Sequence, residues 1–434
     1  MKISHEEKLD YSDVLIVPQR SKLKSRSEVS LIRQYSFPNS PLTWNGIGII
    51  AANMDTVGTI EMAKNFYENK MLVALHKHYS IDVLFDFFQN VNYWNCAFYT
   101  VGTSNEDREK LNKVKSLLEK KLGKEESSIF PKFLCIDIAN GYSEHFLDTL
   151  KSYRKDFPES IIMAGNICTE NMAEELILSG ADICKIGIGP GAVCTTRVKT
   201  GVGYPQLSAV SECAHAAHGL RGHCCADGGI TSTGDIAKAL AAGGDFVMIG
   251  SLIAGVDECE GSFINEYNKD IPYATLSKIT MLYSLFKNND YLNKFDGSEF
   301  FSTWKKHYDY ITDLDIEGFL LHFGFDTSIK VDDFIKLIED KVIKRKFQYY
   351  GMSSFEAQKK HIGVIRSHRT AEGKVVTVDA KGPVDGVIQD IKGGIRSTCT
   401  YIGAKTIKDL PKCARFVRVK KTHNVYYGDN WRKS

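Results

Sequence analysis

Short apolar runs recur along the chain at a spacing of roughly 25 residues, the length of one strand plus one helix. They are IGIIAAN (47–53), MLVALHKH (71–78), AFYTVGTS (97–104), KFLCIDIAN (132–140), SIIMAGNI (160–167), DICKIGIG (182–189), HCCADGG (223–229) and DFVMIGS (245–251). Such near-continuous apolar runs suit parallel strands covered on both faces. The stretches between them read as helices, among them TENMAEELILSG (169–180) and STGDIAKALAAGG (232–244). Eight alternating units predict an α/β fold, a closed (β/α)8 TIM barrel. A doubly wound sheet is the alternative; the even spacing favours closure.

The pattern divides the chain into three. Residues 1–261 hold all eight strands and form the barrel core. From 262 to 346 the rhythm breaks into a stretch rich in Tyr, Phe, Lys and Asn. There VDDFIKLIEDKVIKRKF (331–347) places Val331, Phe334, Ile335, Ile338 and Val342 at helical spacing, and SKITMLYSLFKN (277–288) is similar. We read a mostly helical insertion, either a packing elaboration or a lid, regulatory or assembly element. Residues 347–434 return to glycine-rich language in YYGMSS (349–354), AEGK (371–374), KGPV (381–384) and GGIRSTCTY (393–401). These predict loops returning over the barrel mouth.

Composition narrows the class. The 434 residues are 43% hydrophobic and 25% charged with a net charge of +2, so no basic field favours nucleic acid. No apolar run reaches membrane-spanning length, and MKISHEEKLD has no secretory pattern. Eleven scattered cysteines fit reduced thiols in the cytoplasm. Cys224 and Cys225 read as strand residues rather than zinc ligands.

Active sites of barrels gather at the C-terminal ends of the strands. Candidates there are Asn53-Met54-Asp55, His76-Lys77-His78, Asp137 with Asn140-Gly141, Gly165-Asn166 and Asp227-Gly228-Gly229. The loops after strands seven and eight, Asp227-Gly228-Gly229 and Gly250-Ser251, suit a phosphate, since glycines let backbone N–H groups approach its oxygens. Asp227 would repel phosphate and instead suits ribose hydroxyls. After strand six, GPGAVCTTR (189–197) places Cys194 in an irregular polar loop, as a nucleophile should be. Arg197 is a possible cation beside it, Thr195 and Thr196 could relay protons, and the loop carbonyls could ring a monovalent cation.

These motifs resemble one family. GPGAVCTTRVKTGVGYPQLSAV (189–210) looks like the signature of the IMP dehydrogenase and GMP reductase superfamily. DYSDVLIVPQRSKLKSRSEV (10–29), AANMDTVGT (51–59), HKHYS (76–80), CIDIANGYSEHF (135–146), ADGG (226–229) and YGMSS (350–354) extend the match over most of the chain, leaving out 262–346. SRS, HKHYS and IDIANGYSEHF are similar to the GMP reductase branch. The spacing from Val73 to Thr100 leaves no room for the CBS pair of IMP dehydrogenases. FEAQKKHIGVIRSHRT (355–370) lacks the Arg-Tyr pair of their hydrolytic flap.

The resemblance implies NADPH-dependent reduction of GMP to IMP and ammonia through a Cys194 thioimidate, with Thr196 and Glu372 as proton partners. GMP would meet Asp227, Gly228, Gly229, Gly250, Ser251, Gly351, Met352, Ser353, Arg369, Thr370, Ala371, Glu372 and Gly373. NADPH would meet Lys77, Asp137, Ile138, Ala139, Ile188, Gly189, Met352, His368, Arg369, Ser397, Thr398, Cys399 and Thr400. Ser25 and Arg26 would reach a neighbouring subunit's cofactor in a homotetramer. K+ would sit on Gly189, Gly191 and Cys194, with Arg197 nearby. Two departures stand out: Ala192 replaces the usual serine near the phosphate, and the insertion falls just before YGMSS. An IMP dehydrogenase with an unusual flap and an inactive nucleotide-binding scaffold are the rival readings.

Overall fold

In the computed structural model, residues 3–267, 337, 338, 343–363 and 370–420 are described. The chain forms two compact units: Met1–Gly261 with Tyr349–Val376 and Lys381–Ser434, and Ser262–Gln348 with Thr377–Ala380.

In the first unit a short strand β1 (Val14–Ile16) and a hairpin of β2 (Arg33–Ser36) and β3 (Thr43–Gly46) precede the barrel. The barrel strands are β4 (Ile49–Ala51), β5 (Leu72–Ala74), β6 (Ala97–Val101), β7 (Phe133–Asp137), β8 (Ile161–Ile167), β9 (Ile183–Ile186), β10 (His223–Asp227) and β11 (Phe246–Ile249). All eight predicted strands are present, pair in parallel and close, β11 against β4 with Val247 opposite Ile49. Each ladder is shorter than its apolar run; the polar tail of the run leaves as the rim loop.

Between the strands lie α1 (Ile60–Glu68), α2 (Ile81–Phe88), α3 (Asn105–Leu122), α4 (Glu144–Asp156), α5 (Glu170–Leu178), α6 (Thr196–Thr200), α7 (Gln206–Gly219) and α8 (Thr233–Ala241). Several begin where the sequence supplies a hydroxyl. Thr59, Ser80, Ser104, Ser143 and Ser232 accept backbone N–H groups of Met62, Val83, Asp107, Phe146 and Asp235.

The barrel interior is filled by alternate strand residues, among them Phe98, Phe133, Cys135, Met163, Cys225, Phe246 and Met248. The β2–β3 hairpin adds Tyr35, stacked on Phe246 at 4.6 Å, and Trp44, edge-on to Phe133 at 6.3 Å. Phe133 and Phe246 open their strands, so the hairpin plugs the N-terminal end and chemistry is confined to the other rim.

The C-terminal region departs from the loop reading. After α9 (Phe355–Ile362), residues Val384–Ile402 form a long helix, α10, followed by α11 (Leu410–Cys413) and β15 (Phe416–Arg418), which pairs with β1. GGIRSTCTY looks loop-like because of Gly393 and Gly394. However, Val384, Ile388, Ile391, Ile395, Cys399 and Ile402 make one buried helical stripe. Gly394 has a packing reason: a Cβ there would stand 2.9 Å from the Thr233 side chain of α8. Packed against both α8 and α1, α10 takes the place of the helix after the eighth strand.

In the second unit β12 (Phe263–Tyr267) pairs antiparallel with β13 (Ile343–Tyr350), which also neighbours β14 (Val375–Asp379). The helix expected over 331–347 is thus corrected at its end: 343–347 are strand. Phe347 and Tyr349 are buried and alternate with exposed Gln348, a period of two that overrides the helical spacing upstream. Leu337 and Ile338 are helical. The 277–288 segment lies outside the described residues. Among the described residues no helix is long and apolar enough to cross a membrane.

One buried carboxylate ties the plug to the barrel. Asp245, 2% exposed, lies 2.7 Å from Arg33 Nη2, 2.7 Å from His218 Nε2 and 3.3 Å from His223 Nδ1, and accepts the Cys224 N–H at 3.0 Å. Burial opposes its charge, but His223, His218 and Arg33 prevail and hold the carboxyl far below its usual range. The hydrogen bond to Asp245 outweighs burial and raises the His218 imidazole. Asp245→Asn should lower the unfolding free energy by about 3–5 kcal/mol, because it leaves buried partners uncompensated. A depressed carboxyl stabilises above its unfolded pKa of about 3.9 and loses that gain as pH falls; a raised imidazole stabilises below about 6.5 and loses it as pH rises. The wild-type advantage, read from urea midpoints, should therefore peak between about pH 4 and about pH 6.5. A gap independent of pH would refute this account.

Candidate active site

The C-terminal rim of the barrel opens into a cleft of about 280 Å³. Its walls come from the loops after β4 (Ala52–Met54), β7 (Asp137–Ala139), β9 (Gly187–Cys194), β10 (Asp227–Ile230) and β11 (Gly250, Ser251), with Tyr349, Gly351–Ser353 and Glu372 from the C-terminal region. Asn166, Lys185, Thr196 and Met248 complete it. Close approach of two loops needs glycine: a Cβ on Gly228, at φ +93°, would stand 2.8 Å from Pro190 Cγ.

Cys194 lies in this cleft. Nine of the eleven cysteines are buried, and burial pushes thiols such as Cys135, Cys184 and Cys225 well above their usual range. Cys194 is partly open. Its Sγ donates to Thr196 Oγ1 at 3.2 Å, and Thr196 Oγ1 donates to Glu372 Oε2 at 2.7 Å. The thiol, hydroxyl and carboxylate form a continuous chain of hydrogen bonds although Glu372 lies 176 positions from Thr196.

Backbone pairing explains how Glu372 arrives. The Thr195 N–H donates to the Glu372 carbonyl at 2.9 Å and the Lys374 N–H to the Val193 carbonyl at 2.9 Å, an antiparallel bridge of Cys194 with Gly373. Gly351 and Gly373 lie back to back: a Cβ on Gly373 would be 2.8 Å from the Ser354 nitrogen, and one on Gly351 would be 2.9 Å from the Val193 carbonyl. Any side chain there would pry three loops apart.

Asp55 anchors the same region from below. It is buried, and Oδ2 accepts from Tyr350 at 2.7 Å, Lys360 at 2.9 Å and His361 at 2.7 Å, while its N–H meets Met352 Sδ at 3.4 Å. His361 stacks on His78 with ring centroids 3.5 Å apart. Burial, then the charges of His361, His76 and Lys77, pushes His78 down to about 3, so it stays neutral. This anchoring holds α9 and the Gly351–Ser354 loop against the rim.

The cleft floor carries a charge network. Lys185, 4% exposed, points Nζ at Asp137 Oδ1 (2.7 Å), Asp227 Oδ2 (2.5 Å) and Asn166 Oδ1 (2.9 Å). Asn166 Nδ2 donates to Asp227 Oδ2 at 2.8 Å and to the Gly187 carbonyl at 2.7 Å. Burial disfavours the ammonium, but Asp137 and Asp227 overcome it and raise Lys185 above its usual range. Burial likewise opposes the Asp137 charge, and Lys185 outweighs it.

The sequence candidates divide accordingly. Asp137, Ile138, Ala139, Ile188, Gly189, Gly191, Cys194, Thr196, Asp227, Gly228, Gly229, Gly250, Ser251, Gly351, Met352, Ser353 and Glu372 share the cleft. Gly373 stands behind it, Ala371 is buried and Thr370 exposed. Arg197 does not line the cleft; its guanidinium meets Asp10 at 3.1 Å and the Tyr204 carbonyl at 2.5 Å. Lys77 pairs with Asp107 at 3.6 Å in a smaller cavity. Ser25 and Arg26 lie at a 3-10 turn that packs on α10, the helix carrying Ser397, Thr398, Cys399 and Thr400; none of these lines this cleft. Burial pushes the Cys399 thiol up to about 12. His368 and Arg369 fall outside the described residues. Sequence reading missed Lys185 in the cleft floor and Tyr349 in its wall, whereas Asp55, a rim candidate by position, proves to be an anchor. The available signal for Lys185 was a lysine inside the apolar run ICKIG (183–187).

Comparison with known proteins identifies the family that this sequence resembles. The family model described as the IMP dehydrogenase / GMP reductase domain matches residues 8–275 and 336–425. The chain is 42% identical over 432 residues to a GMP reductase of Yersinia enterocolitica, covering 99% of this chain and 100% of the relative. It is 43% identical over 427 residues to GMP reductase 1 of Rattus norvegicus and of Homo sapiens, covering 98% of this chain and 99% of each relative. With that coverage, the chain belongs to the IMP dehydrogenase/GMP reductase family.

Proposed function

We propose that this cleft converts GMP to IMP and ammonia, with NADPH as reductant and Cys194 as covalent nucleophile. The observation that carries the reading is the Cys194–Thr196–Glu372 path within a cleft lined by glycine loops. The full-length relatives named GMP reductase support the same reaction.

In this reading the nucleotide phosphate rests on Gly228–Gly229 and Gly250–Ser251, and Asp227 accepts hydrogen bonds from the ribose. Cys194 Sγ bonds to purine C2 as its proton passes through Thr196 to Glu372. Glu372 returns a proton to the C2 amine, because an amine leaves well only when protonated. The C2–N bond breaks, ammonia departs, and a thioimidate joins Cys194 to C2. NADPH, when bound, supplies a hydride to C2. The C2–S bond then breaks, its electrons return to Sγ, and IMP is free to leave.

The donor set suits both companions. Asp137, Ile138, Ala139, Ile188 and Gly189 continue the cleft beyond Cys194 and would hold the nicotinamide end. Backbone carbonyls of Gly189, Gly191 and Cys194 are hard oxygen donors of the type K+ accepts, and a cation there would pin the nucleophile loop. Ser25, Arg26, Ser397, Thr398 and Thr400, which belong to elements packed together away from the chain's own cleft, would serve a neighbouring subunit of a homotetramer, whereas Cys399 is buried in the packed face of α10 and is withdrawn as a cofactor contact. Reduced cysteines suit a cytoplasmic setting.

Purified protein should oxidise NADPH in the presence of GMP, with IMP and ammonia as products; NADH formation from IMP and NAD+ without GMP reduction would instead make it a dehydrogenase. Cys194→Ala should bind GMP yet show no turnover, and unchanged turnover would end the covalent mechanism. Glu372→Gln and Thr196→Val should each lower kcat by about 10²–10⁴ with GMP affinity within a few-fold. The double variant should be no slower than the worse single one, since both break one path; additive losses would show two separate functions.

A further inference from the structure

The Lys185 network has no part in the chemistry at C2, yet it joins both halves of the proposed site. Asp137 ends β7 on the cofactor side, Asn166 lies on β8, Lys185 on β9 and Asp227 ends β10. These four strands are consecutive neighbours in the ring. All three ammonium hydrogens have acceptors within 2.9 Å: Asp137, Asp227 and Asn166. Lys185 therefore has no proton left to offer a substrate and none for a phosphate. Its task is internal.

We infer that Lys185 is a positioning residue that fixes Asp137 and Asp227 as one charge-balanced unit, so that the cofactor and nucleotide halves of the cleft are set together. This rests on the assignment of Asp137 to the cofactor and Asp227 to the ribose. Lys185 and Asn166 both bind Oδ2 of Asp227, a residue that lines the cleft, and Gln206 holds the Asp227 carbonyl at 3.1 Å. Without the ammonium, two carboxylates would share one floor, and like charges in such a site force one to keep its proton. A protonated Asp227 becomes a donor where a ribose hydroxyl needs an acceptor.

The other ionisable groups around the network do not substitute for Lys185. Cys135 on β7, Cys225 on β10, Tyr11 and Tyr349 are pushed up by burial and stay neutral. Lys77, which adds favourable charge at Asp137, pairs with Asp107.

The test is steady-state kinetics of the full chain. Lys185→Met should raise KM for GMP and for NADPH together, each about tenfold or more, the scale of one lost charge-assisted contact. Its kcat/KM for GMP should gain a new ionisation that the wild-type profile lacks. Lys185→Met/Asp137→Asn, which restores the charge balance, should recover the GMP KM and the pH profile but leave the NADPH KM high. Lys185→Arg should keep the wild-type profile. A rise in only one KM, an unchanged profile in Lys185→Met, or no recovery in the double variant would overturn the inference. If Lys185→Met does not fold by circular dichroism, Lys185→Arg and the double variant decide it. If wild-type protein instead oxidises IMP with NAD+, the proposed reaction fails while the same paired KM test, run with those ligands, still judges Lys185.

Discussion

Pairing of β11 with β4 is the constraint on which the site depends. A closed ring of parallel strands brings every C-terminal strand end to one rim, whatever their separation in sequence. Closure sets the Ala52–Met54 loop after β4 beside Gly250 after β11, while Asp137, Lys185 and Asp227 meet across neighbouring strands of the same ring. The opposite end is sealed by Tyr35 and Trp44 of the β2–β3 hairpin, held through Arg33 to Asp245. One end is dry and packed, the other polar and open.

The rim does not complete the chemistry. Glu372 comes from a segment beyond the barrel strands and is held by short backbone pairings to Thr195 and Val193, with Gly351 and Gly373 in contact where no side chain fits. Asp55 fixes the flanking helix through Tyr350, Lys360 and His361. A loop free to wander would place the carboxylate near the hydroxyl only part of the time. These contacts preorganise the path before a ligand binds.

Burial also sorts the titratable groups. The barrel's inner thiols are kept protonated by desolvation, and of the two partly open thiols, Cys194 and Cys413, only Cys194 lines the cleft. Lys185 is the opposite case: buried as deeply, it keeps its charge because two carboxylates surround it. The same low dielectric silences an unpaired group and strengthens a paired one.

The sequence by itself determined the barrel and the positions of its rim loops, and it marked Cys194 as the candidate nucleophile, because strand period and glycine spacing are local properties that survive without tertiary contacts. Resemblance added Thr196 and Glu372 as partners. Only the tertiary structure decided that 384–402 is a helix: the Gly393-Gly394 pair argues for a loop until α8 supplies the surface that the stripe of Val384, Ile388 and Ile391 covers. The strand at 343–347 likewise depends on its partner β12, where Phe263 lies 4.8 Å from Phe347. Lys185 was invisible for the same reason. A lysine in an apolar run carries no sign of its partners, and Asp137 and Asp227 reach it only across neighbouring strands of the closed ring.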